Sequence, residues 1–389
     1  MSQPRSALDL LRENLDAIDA KLLQLLAQRM GIVAEVASHK RDHALRIRDL
    51  SRERQVLSDR CTQADRLGLP PGIIESIFRL VLLASRERQA ALRAELPKDV
   101  APRTLALIGG HGAMGTTLRS LFEELGHRVL VVDVDTELTP ERAAAEADVT
   151  LVSVPIRDTE SVIRRVGPHV PREGLLMDVT SIKAAPMEAM LEATEASVVG
   201  THPMFGPGSH TFQGQRVVVC PGRGDGWLEW VRQMLSARGL VLTEASAEEH
   251  DHMMAVVQVL NHYQTQVLGV ALSRYGVPIE RSLAFTSPAY LLEAYVTARH
   301  FAQSPELYGA IETLNPQTGE VTAVFREAAA EIAAILERGD QERFSALFEE
   351  VRAFFGDFTE EALEQSRYLV DRLVELTAGR PGSDVQRGE

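Results

Sequence analysis

A chain of 389 residues that is 45% hydrophobic and 25% charged has enough apolar material for two or three folded domains, which excludes disorder as its main character. Its 41 Lys and Arg against 55 Asp and Glu leave a formal charge of −14, so its body repels nucleic acid and anionic membrane. Any anionic ligand must therefore be held by local basic groups. Only Cys61 and Cys220 occur, without His or Cys neighbours at ligand spacing, so no disulfide framework, zinc site or other metal centre is expected.

Charged residues follow soon after Met1-Ser2-Gln3-Pro4, and no run reaches the roughly 18 uncharged apolar residues of a membrane span, so a cytoplasmic location is expected. Helical periodicity dense in Arg and Glu then covers roughly residues 8–94, with breaks at 42–48 and at Gly68-Leu69-Pro70-Pro71-Gly72. Three helices are predicted, the first of them long.

Leu8, Leu11, Leu15, Ile18, Leu22, Leu25, Ile32 and Val36 alternate by three and four, a single stripe that faces other helices. Arg29 continues that seam, where an unpaired cation is costly, so it must meet a carboxylate of the protein or of a ligand. Lys40 lies about 20° around the helix from Arg29 and roughly 16 Å along it, on the same face. Arg12 is roughly 100° off that face and serves a partner's site more easily than its own. Asp49, Arg52 and Glu53 open the next helix, and Ser85 and Gln89 stand one turn apart on the last. Together these groups suit a small dianion with a polar oxygen, but the pattern alone also describes an interaction module whose charges are solvated or mutually paired.

Leu11-Arg12, Arg29, the segment from Val36 to Lys40, Asp49, Arg52-Glu53-Arg54, Ser85 and Gln89 resemble the all-helical chorismate mutase family over roughly residues 8–92. The resemblance implies an intertwined homodimer in which Arg12 reaches into the partner's site. It further implies that Arg29 and Lys40 hold the substrate carboxylates, that Lys40 and Gln89 meet the ether oxygen, and that Glu53 and Asp49 handle the ring hydroxyl and orientation, with Arg52 and Ser85 contributing. A Claisen rearrangement needs only a compact conformer and stabilisation of a partly negative oxygen, so cations and an amide donor suffice.

Two prolines between Leu96 and Pro102 make 96–102 a linker, which bounds a first domain at 1–95. Beyond it, short apolar runs at 105–108, 129–133, 149–154, 175–178, 197–200 and 217–220 alternate with helical stretches. That alternation predicts parallel strands with crossover helices, a doubly wound Rossmann-type domain over 103–245. Gly110, Gly112 and Gly115, with Met114 among them, follow the first run, and Asp133 closes the second run 23 residues after Gly110. The glycines give the tight turn, the close approach to a pyrophosphate and the helix–strand packing, while the carboxylate accepts from the adenosine ribose. Asp133 repels a 2′-phosphate, so NAD is expected rather than NADP.

Ligands of such sheets sit beyond the carboxyl ends of the strands, which is where Ser181 and His202 fall. On position alone His202 is either a base on the cofactor side or a packing histidine of a Pro-rich loop; His111, His250, His252 and His262 raise the same question more weakly. From Glu248 helical periods run to about Thr377, punctuated at Gly276-Val277-Pro278, Asn315-Pro316, Gly339-Asp340 and Gly356-Asp357. This predicts a helical domain over 246–378 and a polar tail at 379–389.

The stretch Gly200-Thr201-His202-Pro203-Met204-Phe205-Gly206-Pro207, with Asp178 to Lys183 ahead of it, resembles prephenate dehydrogenase. The likeness continues through Glu249 to Ala255, Ser287-Pro288-Ala289-Tyr290 and Ala298 to Gln303, to about Leu376. The whole chain is thus similar to the bifunctional enzymes of tyrosine biosynthesis that join a mutase to this dehydrogenase. It implies that His202 accepts the proton of the ring hydroxyl, that Ser181 bonds the same hydroxyl and that Arg299 holds a substrate carboxylate; His250 and His262 match histidines of the family, with His250 assigned to the substrate side and inhibitor contact or packing left open as their roles. Gly208 and Leu291 depart from residues common in relatives, which leaves preference between prephenate and its transaminated form, arogenate, open. The apolar surplus of the helical domain is a second reason to expect a homodimer.

Overall fold

The computed structural model describes residues 6–43, 49–93, 101–209 and 211–377. Most of the linker at 96–102, the whole tail at 379–389 and residues 44–48 of the first predicted break lie outside them. The chain divides into two compact units, residues 1–154 with 158–247, and residues 155–157 with 248–389.

Three helices open the first unit, α1 (Ala7–Asp42), α2 (Leu50–Arg66) and α3 (Pro71–Arg93), the first about 54 Å long. Asp49 starts α2 by accepting the Arg52 N–H on Oδ1 at 3.0 Å. Pro71 is tolerated at the head of α3 because that position has no helical acceptor for an N–H. α3 packs against both other helices, burying Val33, Ala37, Ala64 and Ala90. Ahead of that contact every residue of α1 from 7 to 28 is exposed, with Leu11 at 60%, Leu15 at 61% and Leu25 at 60%. The predicted stripe therefore forms, and no described residue of the same chain covers its first half.

The sheet domain follows as β1 (Thr104–Ile108), α4 (Ala113–Glu124), β2 (Arg128–Val132), α5 (Pro140–Glu146), β3 (Val149–Val152), α6 (Thr159–Val166), β4 (Leu175–Asp178), α7 (Ala184–Ala193), β5 (Ser197–Pro203), β6 (Arg216–Arg223), α8 (Asp225–Ala237) and β7 (Val241–Glu244). The seven strands are ordered β2-β1-β3-β4-β5-β6-β7. β1 is flanked by β2 and β3, with Leu107 opposite Val131 on one side and Leu151 on the other, so strand order reverses there and a crevice opens beyond the strand ends. Leu105, Leu107, Val149, Leu151 and Leu175 are almost fully buried, as near-continuous apolar strands covered on both faces should be.

One expectation fails in this sheet. β6 runs antiparallel to β5, pairing Val218 with His202, because the connection at 204–215 carries no crossover helix. β7, parallel to β6, was not among the predicted runs; it is a largely exposed edge strand with little apolar signal.

The second unit is helical, as predicted: α9 (Ala247–Met254), a π-helical segment at Ala255–Leu260, α10 (Asn261–Tyr275), α11 (Ile279–Leu283), α12 (Pro288–Phe301), α13 (Pro305–Leu314), α14 (Thr318–Arg338), α15 (Gln341–Phe355) and α16 (Phe358–Thr377). Gly276 and Gly339 end α10 and α14 with φ of 81° and 64°, which only glycine adopts cheaply. Side-chain caps from Ser287 and Ser304 begin α12 and α13, two breaks that apolar periodicity does not reveal.

Candidate active sites

In the helical region α3 presents Ser85 and Gln89, both buried, toward its neighbours. The Arg29 guanidinium of α1 donates to Ser85 Oγ, which itself donates to the Val81 carbonyl. Burial and the nearby Arg60 pull Arg29 below the usual arginine range, though it stays charged. Gln89 Nε2 donates to the Ser85 carbonyl at 3.3 Å, and Gln89 Oε1 is buried with no partner among the described residues. Glu53 of α2 pairs with Arg86 of α3 at 2.7 Å. Arg29, Ser85, Gln89 and Glu53 are thus brought onto α3 and its two neighbours.

The other predicted residues of this region stand further out. Lys40 is half-buried on the same helix as Arg29. Asp49 is occupied as the cap of α2, and Arg52 is exposed and donates to Gln55 Oε1 at 2.8 Å. Arg12 is exposed, 3.8 Å from Asp9 and about 25 Å along α1 from Arg29, so it cannot reach that cluster in its own chain. Arg60 and Arg86 were not singled out from the sequence, because a charged residue on a charged helix carries no pattern of its own.

In the sheet domain the turn after β1 begins at Gly109, whose φ of 85° and whose added Cβ, 2.2 Å from the Ser153 carbonyl oxygen, demand glycine. A Cβ on Gly115 would lie 2.3 Å from the Gly109 oxygen, and one on Gly110 would lie 2.8 Å from Val131 Cγ1. Gly112 caps α4 without a side chain, so the first-turn N–H groups face outward unobstructed, while Met114 packs its side chain on the core. Asp133 follows β2 and is fixed by two backbone donors, His111 N–H to Oδ2 at 2.9 Å and Val134 N–H to Oδ1 at 2.8 Å. A glycine cradle at a helix N-terminus with a fixed carboxylate fits a dinucleotide. Gly109, part of a doublet, was the turn glycine that the spacing argument passed over.

Ser181 and His202 lie on the same carboxyl edge, Ser181 half-buried in the loop after β4 and His202 buried near the end of β5. Asp178 and Lys183 bracket that loop as a fully buried ion pair. Asp178 Oδ2 also accepts the Thr180 N–H at 3.0 Å, and its carbonyl accepts Thr201 Oγ1 at 2.6 Å, so one residue ties the Ser181 loop to the strand that carries His202.

Within the second unit Arg299 is exposed near the end of α12. His250 is fully buried, its Nδ1 2.8 Å from Asp251 Oδ1, and exposed His252 contacts Gln317 Oε1 at 2.6 Å. His262 and His300 flank the Tyr308 ring, with centroids 4.7 and 4.1 Å from it. Gln266 Nε2 bridges His300 and Glu312. Burial, then the charge of His300, pushes His262 down to about 4; burial lowers His300 and raises Glu312. Sequence spacing offered no means of seeing these five helical positions as one cluster.

Among the described residues no group of side chains could hold a metal, and no helix is long and apolar enough to cross a membrane.

Three family models match in order: chorismate mutase type II over residues 11–90, the prephenate dehydrogenase nucleotide-binding domain over 116–244, and the prephenate dehydrogenase dimerization domain over 246–350. The chain is 35% identical over 362 residues to the T-protein of Enterobacter agglomerans, covering 92% of this chain and 96% of that one. It is 32% identical over 375 residues to the T-protein of Haemophilus influenzae, covering 96% and 99%. Its fold is similar to that of the prephenate dehydrogenase from A. aeolicus solved in complex with hydroxyphenyl propionate and NAD+, with a TM-score of 0.55 and 16% identity over 66% of this chain and 98% of that one.

Proposed function

The chain belongs to the T-protein family of bifunctional chorismate mutase/prephenate dehydrogenases, and on that premise we propose which of its residues carry each reaction. It rearranges chorismate to prephenate, and it oxidises prephenate with NAD, losing carbon dioxide, to 4-hydroxyphenylpyruvate, two steps of tyrosine biosynthesis.

For the mutase, assigned to residues 1–95, Arg29 and Lys40 hold the two carboxylates and fold the substrate into its reactive conformer. Lys40 and the Gln89 amide stabilise the ether oxygen as the bond breaks. Glu53 and Asp49 take the ring hydroxyl, Ser85 and Arg52 support the set, and Arg12 enters from a second chain. The uncovered stripe on α1 supports that homodimer, since apolar side chains at half to two-thirds exposure along four turns need a partner.

For the dehydrogenase, residues 103–245 hold NAD through Gly110, Gly112, Gly115, the Met114 turn and Asp133, and the helical remainder at 246–378 supplies Arg299 and His250 on the substrate side. NAD held there would supply the hydride acceptor for the ring carbon that bears the hydroxyl. His202 accepts the proton from that hydroxyl, with Ser181 bonding the same oxygen. Arg299 fixes a substrate carboxylate against the charge of an acidic protein. His250, buried against Asp251, is assigned the most peripheral part in this set. We place the enzyme in the cytoplasm as a homodimer with no nucleic-acid partner.

The observation that carries this reading is the gathering of the glycine turn, Asp133, Ser181 and His202 at one carboxyl edge, where the switch of strand order opens a crevice. The test is a pair of separate assays on purified enzyme: chorismate consumption without NAD, and NAD reduction on supplied prephenate and, in parallel, on arogenate. Equal turnover of arogenate overturns the substrate assignment.

A further inference from the structure

Arg86 lies outside every residue that the resemblance to mutases marks, yet it is ion-paired to one of them, Glu53, inside the helical site. Its Nη1 is 2.7 Å from Glu53 Oε1, and the two side chains are only 19% and 17% exposed, although 33 positions separate them. A carboxylate that far out of water is costly unless a cation and hydrogen bonds accompany it. On α3 Arg86 adjoins Ser85, which receives Arg29 of α1. Consecutive helical residues point about 100° apart, so α3 steers a group of α1 with one position and a group of α2 with the next.

We propose that Arg86 is a positioning residue of the mutase, holding Glu53 in the orientation from which its carboxylate accepts the ring hydroxyl of chorismate. The inference rests on the assignment of Glu53 to that hydroxyl. A carboxylate offers about four lone-pair sites, so Glu53 can hold Arg86 and still accept a hydrogen bond from the ring hydroxyl. Arg86 is also a poor candidate for holding a substrate carboxylate itself. Its charge is already matched by Glu53, whereas Arg29, whose hydroxyl partner Ser85 is neutral and which has Arg60 nearby, keeps its full demand for an anion. Arg86 thus converts a mobile glutamate into a fixed acceptor and leaves dianion binding to the other cations.

The experiment measures steady-state chorismate turnover by the full-length chain carrying Arg86→Met, Arg86→Lys, Glu53→Ala, and Glu53→Ala with Arg86→Met. Arg86→Met should lower mutase kcat/KM by about 10- to 100-fold, the range for losing a charged hydrogen bond. Arg86→Lys should recover part of that loss. On the Glu53→Ala background Arg86→Met should cost less than about twofold more, because a residue acting through Glu53 has nothing left to hold. Dehydrogenase turnover on supplied prephenate should be normal in all four and reports folding of the rest of the chain, while circular dichroism reports the helical region. If Arg86→Met unfolds the first region, Arg86→Lys alone and on the Glu53→Ala background gives the same comparison. Unchanged kcat/KM in Arg86→Met, or losses that multiply with Glu53→Ala, overturn the proposal, the second outcome placing Arg86 on chorismate itself. A normal mutase in Glu53→Ala instead refutes the assignment of Glu53, which separates failure of that reading from failure of this one.

Discussion

The helical region before residue 94 and the sheet domain after residue 103 handle the same problem, binding a small anionic ring, in opposite ways. The sheet completes its core within one chain: β1, β3 and β4 are buried on both faces, and Asp178, Lys183 and His202 are buried with them. The helical region leaves residues 7–28 of α1 exposed and stations Arg12 about 25 Å from Arg29. Parallel strands must be covered on both sides to exist, so their strand ends become rigid platforms for fixed groups. A long amphipathic helix needs only one covered face, which a second copy can supply, and a shared site follows at little cost. The lesson is that the dehydrogenase half-site on the sheet should behave as a property of one chain, and the mutase site as a property of two.

The largest effect expected from breaking the sheet side is His202→Asn. The loss of a positioned general base should reduce hydride transfer by about 10²–10⁴ while prephenate and NAD still bind and mutase turnover is unchanged. Near-normal dehydrogenase turnover would move the base to another histidine, His250 being the first to test.

On the helical side, Arg29→Ala should reduce mutase turnover by about 10²–10³, leaving the dehydrogenase active on supplied prephenate. Arg12→Ala should do the same, and mixing the two inactive proteins should restore part of the activity, since a hybrid dimer contains one intact site. Subunit exchange without any recovery would mean that the site lies within one chain and that the contrast drawn above is wrong.

The second unit sits between these extremes, with Phe348, Phe354, Phe355 and Phe358 exposed on α15 and α16 but a closed polar cluster around His262. His262 has a folded value of about 4 against an ordinary 6.5, so it binds its proton less readily folded than unfolded. Its contribution to stability is therefore intact above about pH 6.5 and is lost as pH falls toward 4. His300, also lowered, adds to this, and Glu312, raised by burial, opposes it in the same window. His262→Gln should flatten the fall in urea midpoint between pH 6.5 and 4. An unchanged slope would show that the cluster is wetter than its burial suggests.

How much of this was legible depended on whether a signal was local. The long α1, the glycine turn, Asp133 and the motif residues Ser181 and His202 could be read because each rests on spacing within one element or one turn. The antiparallel β6 could not, since direction is set by what the 204–215 connection lacks rather than by the apolar run itself. Nor could the Glu53–Arg86 and Asp178–Lys183 pairs or the His262 cluster, whose partners meet only through tertiary packing. Gly109 was visible but hidden by its neighbour Gly110, and only its φ of 85° distinguishes the turn position.

The smallest predicted effect tests how self-contained the sheet is. Asp133 is clamped by His111 and Val134 N–H groups, which fix its carboxylate, and its charge should both attract ribose hydroxyls and repel a 2′-phosphate. Asp133→Ala removes both effects and should weaken the preference for NAD over NADP by about 10- to 100-fold, the range for a charge-assisted hydrogen bond. Asp133→Asn separates the two: its oxygen can still accept one of the backbone N–H groups, but the negative charge is gone. If repulsion of the phosphate dominates, Asn should relax the preference nearly as far as Ala while the KM for NAD rises less. If the clamp dominates, Asn should stay close to the unmodified enzyme. Mutase turnover should be the same in all three proteins, because nothing in the helical region depends on this carboxylate. Equal use of NAD and NADP by the unmodified enzyme would remove Asp133 from cofactor choice altogether.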